Sequence, residues 1–177
     1  MAKETDKQWY VLRVTYRQEM KVKYDLDSKK IESFIPMKVS YKLRGERRVK
    51  VLSPAIHNLV FVHLSEQRMN EYKEHTSLPI RYIMNRETKK PIVIPERQMR
   101  NFIGIAGTQD EQLVYLDSNT QNYKPGQKVK IVGGVFEGYE GTLLRIKGDR
   151  RVLVEIPGLI AVATGFIHPS MLVPIEE

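Results

Sequence analysis

The hydrophobic periodicity of the chain changes near residue 107, and this change most limits the folds that the sequence can adopt. Before it, strand-like runs rich in β-branched and aromatic residues alternate with runs whose apolar residues repeat at helical spacing. After it, the pattern is purely two-fold, in short runs separated by turn residues. The sequence therefore predicts an α+β domain in residues 1–107, an acidic linker in residues 108–112 and an all-β domain in residues 113–177.

The first domain is predicted to contain an antiparallel sheet flanked by helices. Ser65 is expected to cap the second helix and Gly107 to end the third. Glu19 is expected to support the first helix from its exposed side, one turn before Lys23. The third helix should bury Met99, Phe102, Ile103 and Ala106. Strands are expected in residues 8–16, 31–43, 46–51, 55–64 and 79–84, and helices in residues 17–30, 66–75 and 95–107.

The second domain is predicted to be a small barrel of six short strands. Residues 147–150 indicate a two-residue hairpin turn made by Gly148 and Asp149, with a positive φ at its first position. The strands are expected in residues 113–117, 128–132, 141–147, 151–156, 160–164 and 171–175.

The run "KIVGGVFEGYEG" places four glycines inside a strand-like pattern. A phosphate-binding loop is excluded, because no Lys-Ser/Thr pair follows and strands rather than a helix flank the run. The glycines are better explained by tight turns and by close approach of neighbouring backbone segments. We expect Phe136 to be packed and Tyr139 to be available at the surface.

Charge is distributed unevenly around a net value of +8. Residues 1–108 carry 22 Lys/Arg against 12 Asp/Glu, and residues 109–122 carry three acids and no base. The basic first part favours contact with polyanions or acidic proteins. The alternative is a solvated basic surface that keeps the protein soluble.

No chemistry-bearing motif stands out, so the sequence predicts a non-enzyme without cofactor or metal. The chain lacks cysteine, which excludes disulfides and thiolate sites. His57 and His63 would share one face of a strand about 20 Å apart, too far for one metal ion. The N-terminal "MAKETDKQWY" lacks the apolar core of a secretory signal, and no run is long enough to span a membrane, so we expect a cytoplasmic protein.

A cluster of basic residues marks the predicted hairpin around Gly45 as a candidate nucleic-acid contact. Tyr41 beside it is a candidate for stacking on a base. The alternative is that these charges only protect an exposed hairpin from aggregation. The candidates are Lys38, Lys42, Arg44, Arg47, Arg48 and Lys50 on the hairpin, and Arg17, Lys21 and Lys23 on the first helix.

These features together resemble the NusG family of transcription elongation factors. "WYVLRVTYRQEMKVKYDL", "IESFIPM" and "HNLVFVHL" are similar to the first elements of its N-terminal (NGN) domain. The glycine-rich run resembles the KOW motif of its SH3-like barrel. The pattern positions of that motif fall on Gly126, Val129, Ile131, Gly134, Phe136, Gly138 and Gly141.

The resemblance implies a bacterial factor whose N-terminal domain docks on the clamp helices of RNA polymerase and suppresses pausing or termination. Non-template DNA or nascent RNA, and a ribosomal protein bound by the KOW domain, are further implied partners. Leu59 and Phe61 have a competing role as core residues, opposite Val60 and Val62 on the same strand. Carried over by position, the docking surface falls on Arg13, Ile56, His57, Leu59, Phe61 and Ile103.

Departures from general members indicate a specialised subtype. Residues 156–159 read Ile-Pro-Gly-Leu where general members carry Ile-Phe-Gly-Arg, a loop that meets a termination helicase or a ribosomal protein. "VYLD", "RIKGDRRVLVEI" and "AVATGFIHPSML" are most similar to the UpxY-type paralogues of Bacteroidetes, antiterminators of capsular polysaccharide operons. The alternatives are a housekeeping NusG factor that couples polymerase to the ribosome or the helicase, and a ribosome- or RNA-binding KOW protein.

Overall fold

The computed structural model describes residues 6–117 and 126–176. Residues 1–5 of the N-terminal stretch and residues 118–122 of the acidic segment lie outside the described residues. The described residues form two compact units. The first contains residues 6–35 and 56–96, and the second contains residues 36–55, 97–117 and 126–176. The predicted domain boundaries are not tested by this division and remain a prediction.

The first unit is built on an antiparallel sheet in the order β2-β5-β1-β6, with β7 also paired to β1. The centre of the sheet is apolar because "WYVL" and "LVFV" fall on its two middle strands. The strands are β1 (Gln8–Val14), β2 (Glu32–Phe34), β5 (Leu59–Leu64), β6 (Ile80–Tyr82) and β7 (Val93–Ile94).

Two helices belong to the first unit, α1 (Glu19–Ser28) and α2 (Glu66–His75). The predicted cap of α2 is confirmed, because the Ser65 hydroxyl accepts a hydrogen bond from the Arg68 N–H at 3.3 Å. Each helix buries a narrow apolar stripe, which in α1 is formed by Val22 and Leu26.

Strand β5 is buried on both faces. Leu59, Val60, Phe61 and Val62 are all at most 5% exposed. Alternation led us to expect one of the two sets in the core, but a strand covered on both faces reads as a continuous apolar run and buries both. The strand also begins at Leu59 rather than Ala55, so the prediction that His57 and His63 share one strand face is wrong.

The second unit begins with an extended hairpin made of β3 (Met37–Arg44) and β4 (Arg47–Pro54), which form their own two-stranded sheet. Gly45 opens its turn with φ +63°, as predicted from the sequence. The helix α3 (Glu96–Ala106) follows, and the Gly107 N–H closes it on the Ile103 carbonyl at 2.7 Å. Its buried face contains Ile105, whereas Ile103 is only half-buried, a correction to the predicted stripe.

The remainder of the second unit is an antiparallel six-stranded sheet in the order β13-β9-β10-β11-β12-β8. All six predicted strands are confirmed. A short 3-10 helix (Pro169–Met171) precedes the last of them. The strands are β8 (Val114–Asp117), β9 (Lys128–Ile131), β10 (Glu140–Ile146), β11 (Asp149–Ile156), β12 (Ile160–Ala163) and β13 (Leu172–Pro174). The chain therefore has an α+β part followed by a small all-β domain.

The turn between β10 and β11 differs from the prediction by one residue. Ile146 pairs with Asp149, so the turn residues are Lys147 and Gly148 rather than Gly148 and Asp149. Both have positive φ, at +51° and +88°, which is the type I′ geometry that matches strand twist. Glycine is needed at the second position, and lysine tolerates the first.

The glycine-rich run serves backbone geometry, as expected. A Cβ at Gly141 would lie 2.4 Å from the Leu153 carbonyl oxygen, so only glycine lets β10 approach β11 this closely. Gly138 has φ +91°, a conformation that residues with a side chain rarely adopt. Phe136 is buried and Tyr139 is half-buried. In the described residues, no helix is long and apolar enough to cross a membrane.

Candidate functional site

The turn that precedes β5 is the first candidate surface. It presents Ile56, which is half-buried, and His57, whose side chain is 47% exposed. Asn58 closes the turn with φ +78°, and its carbonyl accepts a hydrogen bond from the Val14 N–H at 3.0 Å. Asparagine is among the residues that adopt this left-handed conformation most readily. The turn is therefore anchored to the end of β1.

A buried carboxylate holds the same turn from the other side. Glu19, only 1% exposed, accepts a hydrogen bond from the Asn58 N–H at 2.6 Å, and its Oε1 lies 3.6 Å from His57 Nδ1. The expectation that Glu19 supports α1 from its exposed side, one turn before Lys23, is wrong. Lys23 instead pairs with Asp27 at 2.7 Å. A glutamate four residues before a lysine can form an ion pair on the helix surface, or it can face inward and accept a hydrogen bond from a distant turn. The spacing alone does not distinguish the two, so the sequence did not reveal this role of Glu19.

Replacing Glu19 tests this anchoring. Glu19→Leu removes the acceptor and leaves the Asn58 N–H unsatisfied, so we expect the free energy of unfolding to fall by about 1–3 kcal/mol. Glu19→Gln keeps an acceptor oxygen and should lose less. Chemical denaturation of both variants measures the difference. Equal losses would mean that the hydrogen bond to Asn58 contributes little.

The predicted docking residues on the sheet share one face. In the β1–β5 register Arg13 is opposite Leu59 and Val11 is opposite Phe61. Arg13 is half-buried, whereas Leu59 is 5% exposed and Phe61 is fully buried. A partner contacts only accessible atoms, so Arg13 is available at this face and the other two are packed beneath the surface. Ile103 lies on α3 in the second unit, half-buried.

The hairpin of the second unit has two chemically different faces, because cross-strand partners point to the same side. All the basic residues predicted there are exposed. We call the first face the open face; its four cations have no ion-pair partner among the described residues. The open face carries Lys38, Lys42, Arg44 and Arg47, and the opposite face carries Tyr41, Leu43, Arg48 and Lys50.

The opposite face, which we call the masked face, contacts a residue of the acidic segment. Tyr41 Oη donates a hydrogen bond to Glu111 Oε1 at 2.5 Å, and Lys50 Nζ lies 3.6 Å from the same oxygen. The Arg48 guanidinium lies 4.3 Å from the centre of the Tyr41 ring. The hydrogen bond to Glu111 raises the pKa of Tyr41, and the same bond lowers the pKa of the Glu111 carboxyl. One side of the ring predicted to stack on a base is therefore covered by Arg48.

The remaining basic candidates lie on or before α1. Lys21 is exposed, and Lys23 is paired with Asp27. Arg17 precedes the helix in a left-handed conformation, with φ +52°. Arg17 and Lys21 have no ion-pair partner within the described part of the chain, and the three residues do not form a continuous patch.

The packing of helix α3 on the all-β domain was not predicted from the sequence. The Asn101 Oδ1 accepts a hydrogen bond from the Glu140 N–H at 3.2 Å, and Arg97 pairs with the Glu140 carboxylate. A Cβ at Gly104 would overlap the Tyr139 ring, so the ring rests directly on the helix backbone. No pattern within either segment pairs them, because the contact joins residues about 40 positions apart.

No cluster of three or more metal-ligating side chains occurs in residues 6–117 and 126–176. His63 is instead stacked on Trp9, with ring centres 4.7 Å apart, and its Nδ1 lies 2.6 Å from Glu32 Oε2. The accessible chemistry is that of contact surfaces: an anchored turn and a cationic hairpin.

A family model described as "Transcription termination factor nusG" matches residues 7–103, more than half of the chain. The chain belongs to the NusG family. Comparison with curated proteins gives no match. A solved structure titled "Domain interaction in Thermotoga maritima NusG" is 21% identical, with 97% of this chain and 99% of that chain covered and a TM-score of 0.48. NusG-family proteins are transcription factors rather than enzymes, and the family supports a general role in transcription elongation or antitermination.

Proposed function

We propose that this NusG-family protein is a non-enzymatic elongation and antitermination factor that binds RNA polymerase at its clamp helices. The observation that carries the proposal is the family match over residues 7–103, which includes the anchored turn before β5. That turn presents Ile56 and His57, which together with Arg13 are the accessible members of the docking surface that we infer from the family resemblance. An apolar side chain near an arginine suits the tip of a helical coiled coil with acidic flanks.

The hairpin is proposed to contact non-template DNA or nascent RNA. Its open face carries four exposed cations without an ion-pair partner among the residues described, and two of them, Arg44 and Arg47, face each other at the tip. Exposed cations on an extended hairpin reach phosphates without any loss of core packing. Bound in this way, the factor acts by position and charge, since holding the clamp closed lowers the population of paused polymerase.

We further propose that the factor is cytoplasmic and serves particular operons, as UpxY-type paralogues do. The β11–β12 turn supports this proposal: its residues Pro157 and Leu159 stand where general members of the family carry Phe and Arg. Gly158 between them has φ +74°, a conformation that favours glycine. The alternatives are a housekeeping factor coupled to the ribosome or the helicase, and an RNA-binding KOW protein.

Capture of purified RNA polymerase tests the proposal. The tagged full-length chain is expected to retain polymerase at low salt, and Ile56→Glu is expected to weaken retention at least tenfold, because it places a carboxylate on the docking turn. Tyr24→Glu, a change at a 68% exposed aromatic on α1, is the matched control and should retain polymerase. No retention by the wild-type chain would refute polymerase binding. Transcript mapping in a deletion strain then separates operon-specific from global action.

A further inference from the structure

The masked face of the hairpin holds an anion-binding arrangement that is already occupied. The Glu111 carboxylate accepts a hydrogen bond from the Tyr41 hydroxyl and lies beside Lys50 Nζ, while Arg48 stacks on the Tyr41 ring. A hydroxyl donor and an ammonium group at one carboxylate oxygen, with a guanidinium on the neighbouring ring, are donor types that proteins also use to hold a phosphate.

Glu111 is held at this place by its own segment. The Asp110 carboxylate accepts a hydrogen bond from the Gln112 N–H at 2.8 Å, and the Gln112 carbonyl accepts one from Arg151 at 3.1 Å. Further along, the Tyr115 hydroxyl donates to the Met37 carbonyl at the base of the hairpin, at 3.1 Å. Burial raises the pKa of Tyr115 to about 12, so this donor keeps its proton at neutral pH. These hydrogen bonds fix the turn that holds the Glu111 carboxylate against the hairpin.

The contact is nevertheless exposed enough to be displaced. The side chains of Lys50 and Glu111 are 56% and 53% exposed, and Tyr41 is 42% exposed. Ion pairs at this exposure contribute little to stability because water and salt screen them. A polyanion that already binds the open face would present further phosphates to the same hairpin at high local concentration.

We propose that the Glu111 carboxylate occupies a phosphate site of the hairpin and that single-stranded nucleic acid displaces it. Single-stranded nucleic acid fits best because the site combines cations with an aromatic ring, the pairing that holds flexible strands. Leu43 beside it, 77% exposed, adds apolar surface for an unstacked base. The inference rests on the proposed nucleic-acid contact, and it adds that only one hairpin face is open until the acidic segment is displaced.

Binding of a fluorescent twelve-nucleotide oligothymidylate to the full chain tests the inference. Glu111→Gln should tighten binding about three- to tenfold and steepen the salt dependence by about 0.7 for each added phosphate contact. Asp110→Asn is the matched control: it removes the same charge from the same turn, but its side chain points to Gln112. Equal gains in the two variants would mean that net charge alone is responsible, and would overturn the inference.

Two further variants test whether the gain in oligonucleotide affinity arises at the masked face. Lys50→Gln should abolish the gain in the Glu111→Gln background and have a smaller effect in the wild type, where Lys50 is already paired. Additive effects would contradict the inference. Absorbance titration should also show a lower pKa for Tyr41 in Glu111→Gln, and an unchanged pKa would show that the contact is absent in solution. If no variant binds the oligonucleotide, the inference fails, whereas polymerase capture decides the proposed function separately.

Discussion

Phe61→Ala is expected to destabilise the N-terminal sheet by about 3–5 kcal/mol, a large part of the stability of a domain of this size. Phe61 is fully buried in the central pair of strands, opposite Val11 on β1 and Phe34 on β2. Truncation would remove its apolar contacts and leave a cavity. The sheet is covered on both faces, so its neighbours cannot move enough to fill that cavity. Denaturant unfolding followed by the fluorescence of Trp9 measures the loss.

Ile56→Ala provides the comparison for Phe61→Ala. Ile56 is half-buried on the turn before β5, so its truncation should cost about 1 kcal/mol or less while still weakening polymerase capture. The resemblance assigns Phe61 and Ile56 to the same docking surface. The two variants test whether Phe61 acts in the core and Ile56 in docking. A stable Phe61→Ala protein that fails to bind polymerase would show instead that Phe61 contacts the partner directly.

Gly141→Val is expected to prevent the all-β domain from folding stably. The new Cβ would meet the Leu153 carbonyl oxygen at 2.4 Å and Val152 Cγ1 at 2.7 Å. A backbone carbonyl cannot rotate away without breaking the β10–β11 ladder, so the two strands must separate. We expect a loss of about 3 kcal/mol or more, comparable to the whole stability that so small a core supplies.

Gly133→Ala is the matched control for Gly141→Val. Its Cβ would meet only the Met171 side chain, with Cγ at 3.5 Å and Sδ at 3.8 Å, which is ordinary van der Waals contact, so its effect should be small. Hydrogen exchange followed by mass spectrometry reads each domain separately. Peptides from residues 140–156 should lose protection in Gly141→Val, and retained protection there would contradict the close approach. Peptides from β1 and β5 serve as the internal reference.

Local patterns predicted the elements of the fold well, because each depends on residues close in sequence. The cap at Ser65, the turn at Gly45 and the six strands of the all-β domain all follow from side chains within a few positions. The predictions failed where a distant segment decides the outcome. Glu19 faces inward because the Asn58 N–H needs an acceptor, and nothing near Glu19 indicates that need.

The candidate site divides in the same way. The exposure of the hairpin cations could be predicted, because a pair of strands rich in charged residues has few apolar side chains to bury in a core. The contact of Glu111 with Tyr41 joins residues 70 positions apart, so it depends on how the acidic segment is placed after α3. The acidic residues themselves gave a signal, because they are the part of the chain whose charge complements the basic hairpin.

The separation of the hairpin into an open face and a masked face also depends on the number of residues in each strand. Alternate residues of β3 belong to opposite faces, with Tyr41 on one and Lys42 on the other, and a two-residue turn keeps β4 in step. Inserting one residue before Tyr41 would exchange the faces, because side chains alternate strictly along a strand. The open-face cations would then turn toward Glu111 and the aromatic ring away from it, so an insertion that preserves the two faces must add an even number of residues to each strand.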